Sequence, residues 1–342
     1  MGHARDFETL VERHRREIQV HCYRMLGSLA DAEDLAQETF LRAWKGREGF
    51  EGRASVRTWL YRIATNACLD VLARRPRRVL PDQLGPAGEP DGPIAAADLP
   101  WLEPYPDRLL EGAAPDDTGA AVVERETIEL AYLAAVQYLP PRQRATLILR
   151  DVLGWSAKET AALLETSVAS ANSALQRARA TLRERLPARR AEWTVGDATA
   201  EETALLKRFI AAYEAGDPSA VARLLHEDAQ AIMPPYPLWF GSRASIVRAL
   251  SHSLAPASPD CVGQFRMRPV RANRQPAVAT YLKRPGEHDH RWFGVTLFTI
   301  EAGWITAMAA FESATAAAWG LPETWPGEHD DHGSAGKMQR NA

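Results

Sequence analysis

At 342 residues the chain is longer than one hydrophobic core usually organises, so two or three domains are expected. With 46% hydrophobic and 25% charged residues it has the composition of an ordinary soluble globular protein, and no apolar run approaches the roughly 18 residues of a membrane span. The formal net charge of -3 would discourage nucleic-acid binding, but residues 1–80 and 124–190 lean basic while the stretch between them is acidic, so the sum does not exclude it.

The chain opens MGHARDFETLVERHRRE, without the apolar stretch of a signal peptide, and a cytosolic protein with no membrane partner is expected. From Asp6 to about Arg75 apolar residues recur at three and four: Phe7, Leu10 and Val11, then Tyr23, Leu26 and Leu29, then Leu35, Phe40, Leu41 and Trp44, then Trp59, Leu60 and Ile63. This predicts an all-helical domain over 1–80. Residues 81–121 are rich in proline and acids, a composition that buries too little apolar surface to order itself, and are expected to be a mobile linker. Cys22, Cys68 and Cys261 lack metal-ligand spacing and read as small apolar residues, so no metal and no disulfide is expected.

Helical periodicity resumes near Val122 and runs to Leu186, defining a second all-α domain over 122–190. Ser156-Ala157-Lys158-Glu159 is a capping box, and Ser167 is the N-cap candidate of a following long helix. Two such helices joined by a short turn make a helix-turn-helix that presents Ser170, Asn172, Ser173, Gln176 and Arg177 to a major groove. Asn and Gln pair bidentately with adenine, and Arg177, Arg179, Arg183 and Arg185 suit phosphates or carboxylates. A helical hairpin with a solvated charged face has the same pattern.

Beyond Pro187 the pattern changes. A helix from about Ala200 to Ala215 and a shorter one over 218–225 precede strand-like runs at 278–284, 291–300 and 304–311, an α+β domain over 198–318. The tail 326–342 is polar and expected to be disordered.

The string LPPRQRATLILRDVLGWSAKETAALLETSVASANSALQRARATLRERL resembles region four of the sigma-70 family. DAEDLAQETFLRAW (31–44) and TWLYRIATNACLDVLARRPRR (58–78) resemble region two of its extracytoplasmic-function branch. The resemblance implies a transcription initiation factor whose partners are core RNA polymerase, through the β′ clamp helices and the β subunit, and promoter DNA. It implies that Asp31, Asp34, Leu35, Gln37, Glu38 and Trp44 serve the polymerase contact. The loop around Gly52, Arg53 and Ser55, with Arg57, Trp59 and Asn66, would capture a flipped base of the minus-ten element, and Arg74 and Arg75 would meet the duplex upstream. Ser170, Asn172, Ser173, Gln176, Arg177 and Arg179 would read the minus-thirty-five element. Many members carry Arg where this helix has Asn172, so promoter preference does not transfer. The acidic linker would thread the polymerase cleft as a mimic of RNA, with WLEPYPD (101–107) as its ordered part.

LLKRFIAAYEAGD, LLHEDAQAIMPPYPLWFGSRASI and GWITAMAAFE resemble the SnoaL-like group of the nuclear-transport-factor-two-like superfamily, a cone of curved sheet closed by helices. The whole is thus expected to be multidomain, two all-α sigma domains followed by an α+β SnoaL-like cone-shaped barrel. Tyr236, Trp239, Trp292 and Phe311 are candidates to line a pocket in the cone, with a small ligand as a candidate partner. No catalytic residue and no cofactor is assigned, although His226, Asp228, His252, His288, His290 and Glu312 are of types that some relatives use for proton transfer. A regulatory role for this domain is the expectation. Two rivals stay open: a stand-alone helix-turn-helix regulator with a ligand-sensing domain, and a SnoaL-type enzyme with a DNA-binding appendage.

Overall fold

The computed structural model describes residues 2–50, 55–92, 95–110, 128–186, 199–313 and 315–325. These fall into two compact units. The first comprises 1–84, 97–196 and the four residues 272–275. Its helices are α1 (Gly2–Leu26), α2 (Leu29–Gly46), α3 (Val56–Leu72), α4 (Leu130–Val136), α5 (Pro141–Leu147, continuing as a π-helical turn over Ile148–Val152), α6 (Ala157–Leu163) and α7 (Val168–Arg185). Serine caps start four of them: Ser28, Ser55, Ser156 and Ser167 each accept a backbone N–H three residues on, and Ser156 with Glu159 completes the predicted box. The buried stripes are those of the apolar periodicity, including Phe40 on α2, Leu60 and Ala64 on α3, and Leu175 and Leu182 on α7.

Two features of this unit go beyond what the sequence suggests. The helical segments read as separate modules pack together, because Arg144 on α5 is buried with 2% exposure and donates from its guanidinium to Met25 O at the end of α1 (2.5 Å), Gln137 Oε1 (2.8 Å), Gln137 O (3.0 Å) and Leu139 O (3.3 Å). Burial draws its pKa down to about 10, against a smaller opposing effect of Cys68. Tyr61 on α3 meets Trp155 edge-on at 5.7 Å in the same contact region.

In the linker, Leu102, Tyr105 and Asp107 of the WLEPYPD segment are buried, as is Leu110. The Glu103 carboxylate accepts Leu29 N–H (2.9 Å), Ala30 N–H (3.4 Å) and the Ser28 hydroxyl (3.0 Å), placing a negative charge on the N-terminus of α2. Asn273, whose φ of 54° suits the left-handed preference of asparagine, exchanges both backbone and side-chain hydrogen bonds with Tyr105 and donates to the Tyr23 hydroxyl and Ile128 O. An acidic, proline-rich chain orders here where Leu102, Tyr105 and Leu110 are buried, while Leu84 and Leu99 stay exposed. Residues 111–127 lie outside the described set, as do 326–342 and their expected disorder.

Cys22 and Cys68 are buried, with the Cys68 thiol pushed up by burial, and Cys261 is half-buried. His21 is fully buried, bonded through Nε2 to Thr65 Oγ1 at 2.9 Å, and its pKa falls from 6.5 to about 3 through burial and the charge of Arg24. The fold therefore selects the neutral ring. Its stabilising effect is complete above pH 6.5 and is lost as pH falls toward 3, at up to ~1.4 kcal/mol per pH unit. Thermal unfolding followed from pH 7 to 5 is expected to show a falling midpoint whose slope flattens in His21→Gln.

The second unit comprises 85–96, 197–271 and 276–342. Its elements are α8 (Ala200–Glu214), α9 (Pro218–Ala222), β1 (Leu225–Ile232), β2 (Trp239–Phe240), α10 (Arg243–Ser253), β3 (Gln264–Ala272), β4 (Gln275–Lys283), β5 (Arg291–Glu301) and β6 (Trp304–Glu312). One six-stranded sheet runs β2-β1-β6-β5-β4-β3, antiparallel wherever β1–β2, β4–β5 and β5–β6 pair, and parallel between β1 and β6. Leu205, Leu206 and Phe209 of α8 and Ile246 of α10 pack with Ala231, Phe240, Phe298 and Met308 of the sheet as one core. The fold is thus an all-helical unit and an α+β unit built on one six-stranded sheet, as expected.

Candidate nucleic-acid interface

On α2 the polar residues at helical spacing divide into two sets. Asp34 and Gln37 are exposed, Glu38 is half-buried and accepts Arg42 Nε–H at 2.8 Å, and Leu41, on the same face one turn on, is 55% exposed. Leu41 was not singled out in the sequence. The signal was there, since 34, 37, 38 and 41 share one face, but Leu41 was read as part of the apolar periodicity and only the polar members of that face as contacts. Phe40 is buried, Leu35 is half-buried, and Trp44 is held between Phe7, edge-on at 5.0 Å, and the Arg47 guanidinium 3.9 Å above its ring.

Asp31 and Arg75, assigned to different partners, are partners of each other. Arg75 donates to Asp31 Oδ1 at 2.8 Å and Arg78 to Oδ2 at 2.5 Å. Desolvation pushes the Asp31 carboxyl up, and the Arg78 and Arg75 hydrogen bonds outweigh it and hold it below the usual carboxylate range. Arg78 also reaches Trp101 O and Glu103, so this cluster ties α2, the end of α3 and the linker together.

Gly52 and Arg53 lie outside the described residues. Ser55 caps α3 and bonds Thr58, and Arg57 donates to Glu17 at 2.7 Å, which makes both structural in this state. Trp59 stacks on Phe50 with ring centroids 4.7 Å apart and planes at 27°, leaving the half-buried ring one covered face. Asn66 is exposed on α3 with Arg62 one turn before it, a cation on the same face that the sequence reading passed over. Arg74 is exposed at the helix end, whereas the Arg77 and Arg185 guanidiniums stand 4.1 and 4.2 Å from the Tyr138 ring centroid.

The helix-turn-helix is α6, a turn in which Glu165 takes a φ of 50°, and α7. Ser170, Asn172, Ser173, Gln176 and Arg177 are all exposed, while Ala171, Leu175, Ala178 and Leu182 are buried. The outward face of the first two turns therefore carries amides and hydroxyls, with no cation before Arg177. Arg179 departs from the group: its guanidinium clasps Asp151 bidentately at 2.8 and 2.6 Å, a pairing that raises its pKa and braces α7 against the end of α5.

The pocket candidates in the second unit do not line the helix-packed interior. By register Trp239 lies beside Ile232, Ile232 beside Ala309, Ala309 beside Leu297, and Phe311 beside Val295. This set is on the face opposite Phe240, Ala231, Met308 and Phe298, which meet the helices. Trp292 packs edge-on to Tyr281 and near Trp319, and donates to Ser313 O, while the Tyr236 hydroxyl donates to Glu312 at 3.1 Å. Strand parity places Trp239 and Phe311 on the face away from the helices, which single-sequence reading misses when the register is unknown. Among the described residues no group of three or more His, Cys, Asp or Glu is placed to hold a metal ion, and no helix is long and apolar enough to cross a membrane.

Three families match the chain in the order its elements run: Sigma-70 region 2 over residues 10–78, Sigma-70 region 4 over 129–182 and the SnoaL-like domain over 206–308. The ECF RNA polymerase sigma factor SigG of Mycobacterium tuberculosis is 44% identical over 323 residues, covering 93% of this chain and 85% of that protein. SigW of Bacillus subtilis, also an ECF RNA polymerase sigma factor, is 31% identical over 180 residues, 53% of this chain and 88% of its own. The crystal structure of the extracytoplasmic function sigma factor SigJ of M. tuberculosis has the same fold, with a TM-score of 0.57 at 22% identity over 92% of this chain and 99% of that one. With helical regions two and four and a SnoaL-like domain aligned to one relative across nearly its whole length, the chain belongs to the ECF family of RNA polymerase sigma factors.

Proposed function

We propose how this sigma factor divides the work of directing core RNA polymerase to promoters and initiating transcription. Region two, residues 1–80, docks on the β′ clamp helices through Asp34, Gln37, Glu38 and Leu41 of α2. It captures the minus-ten element with the 50–55 loop, Trp59 and Asn66. Region four, residues 122–190, reads the minus-thirty-five element with Ser170, Asn172, Ser173 and Gln176 and contacts phosphate with Arg177. The domain over 198–318 regulates this activity by binding rather than turnover. The observation that carries the reading is the pairing, on one chain, of an exposed polar and apolar face on α2 with an exposed, amide-rich face on α7. A stand-alone regulator would use the second and leave the first without purpose.

Binding energy does this work. Flipping and unstacking a base costs a few kcal/mol, which stacking and hydrogen bonds in a pocket offset. The closed first unit, with Arg144 in its seam, is the resting state from which the two regions part to span two promoter elements. The test is transcription in vitro with purified core polymerase. The full chain is expected to give a promoter-dependent transcript with core, to shift promoter DNA weakly without it, and to differ in yield from a version ending at residue 195. Failure to copurify with core, together with no promoter-dependent transcript, overturns the assignment of roles; identical yields from the two versions overturn the regulatory one.

A further inference from the structure

The second unit includes a piece of chain from far upstream, residues 85–96, which belong by sequence to the acidic linker. Strand β2 is an edge of the sheet, and an edge strand exposes backbone groups that seek a partner. Here the partner is the linker: Gly88 N–H donates to Trp239 O at 2.8 Å, and Trp239 Nε1–H donates back to Gly85 O at 2.9 Å. The fit is close at Gly88, where a β-carbon would lie 2.2 Å from Leu238 Cδ1. Three residues on, Asp91 is ion-paired with Arg248 and, at 2.9 Å, with His252 Nε2, two cationic types one turn apart on α10. A backbone hydrogen bond, an indole donor, close packing of Leu238 on Gly88 and a matched charge together make a seat for an acidic, glycine-containing segment.

We infer that the C-terminal domain is a clip for this chain's own linker, holding Gly85–Gly92 on the β2 edge and α10 in the free protein, and that engagement with core polymerase peels it off. This rests on the reading that the linker enters the polymerase cleft, since a strand seated on β2 is not available to do so. It explains why the Trp239 indole N–H is directed to Gly85 O at the sheet edge. It also gives the linker's acidity a use before polymerase is met.

Hydrogen exchange on the full-length chain tests the clip. The Gly88 region is expected to exchange about tenfold more slowly than the same segment in a synthetic peptide of residues 82–95. Asp91→Arg, which faces Arg248 and His252, is expected to abolish that protection, and the swapped pair Asp91→Arg with Arg248→Asp to restore it. Trp239→Phe, which keeps the ring and removes the donor, is expected to weaken it. Adding core polymerase is expected to release the segment while strands β4 to β6 stay protected. Exchange at the peptide's rate in the unaltered chain overturns the inference, as does protection indifferent to Asp91→Arg, or protection that persists with polymerase bound. Failure of the sigma-factor reading shows separately, as the absence of promoter-dependent transcript whatever the exchange pattern.

Discussion

Replacing Leu41 with aspartate is expected to weaken binding to core polymerase by about a hundredfold, through loss of an apolar anchor and introduction of a charge that the interface would have to desolvate. The side chain is 55% exposed and makes no core contact that its loss would empty, so the thermal midpoint should stay within a degree or two of the parent. Titration of labelled core polymerase with the variant measures the first effect and a melting curve the second. Asp34→Arg on the same face should act in the same direction, and Arg62→Ala on α3 should leave core binding intact. If Leu41→Asp binds core as the parent does, α2 does not present this face to polymerase.

Arg144→Met is expected to lower the melting midpoint of the first unit by about 8 °C, corresponding to roughly 3 kcal/mol. Methionine fills the stem's volume but leaves Met25 O, Gln137 O and Leu139 O, together with the Gln137 side chain, without the donor that satisfied them. Lysine keeps the charge but lacks the planar fork that reaches several acceptors at once, so Arg144→Lys should recover only part of the loss. Because the same guanidinium joins the end of α1 to α5, hydrogen exchange over residues 141–150 should rise with it. An unchanged midpoint in Arg144→Met would mean that the seam is held by the neighbouring aromatic contacts instead.

Much of the candidate recognition face was legible because its exposure depends on local rules. Ser156, Glu159 and Ser167 announce helix starts through hydrogen bonds that span three residues, and the exposed set Ser170, Asn172, Ser173 and Gln176 follows from 3.6-residue periodicity once Leu175 and Leu182 are placed inside. Where reading failed, the decisive neighbour was distant in sequence. Arg75 and Asp31 are 44 residues apart, and Arg179 and Asp151 28, so nothing local distinguishes a paired arginine from one awaiting phosphate. The aromatic residues Trp239, Trp292 and Phe311 were assigned their common sheet face by cross-strand register, which a single strand does not encode.

By itself the amino-acid sequence determined the order of the helical regions, the helix-turn-helix and its capping, and the change to a β-rich domain after Pro187, because each follows from short-range periodicity and backbone chemistry. Only the tertiary structure decided that Arg144 is buried in a seam, that Glu103 caps α2 across more than seventy residues, and that Gly85–Gly92 lies on the edge of a sheet formed more than a hundred residues later. The physical reason is common to the three. A charged or glycine-rich segment has no strong local preference, so its place is chosen by whichever distant groups can satisfy its charge and backbone while being satisfied in turn.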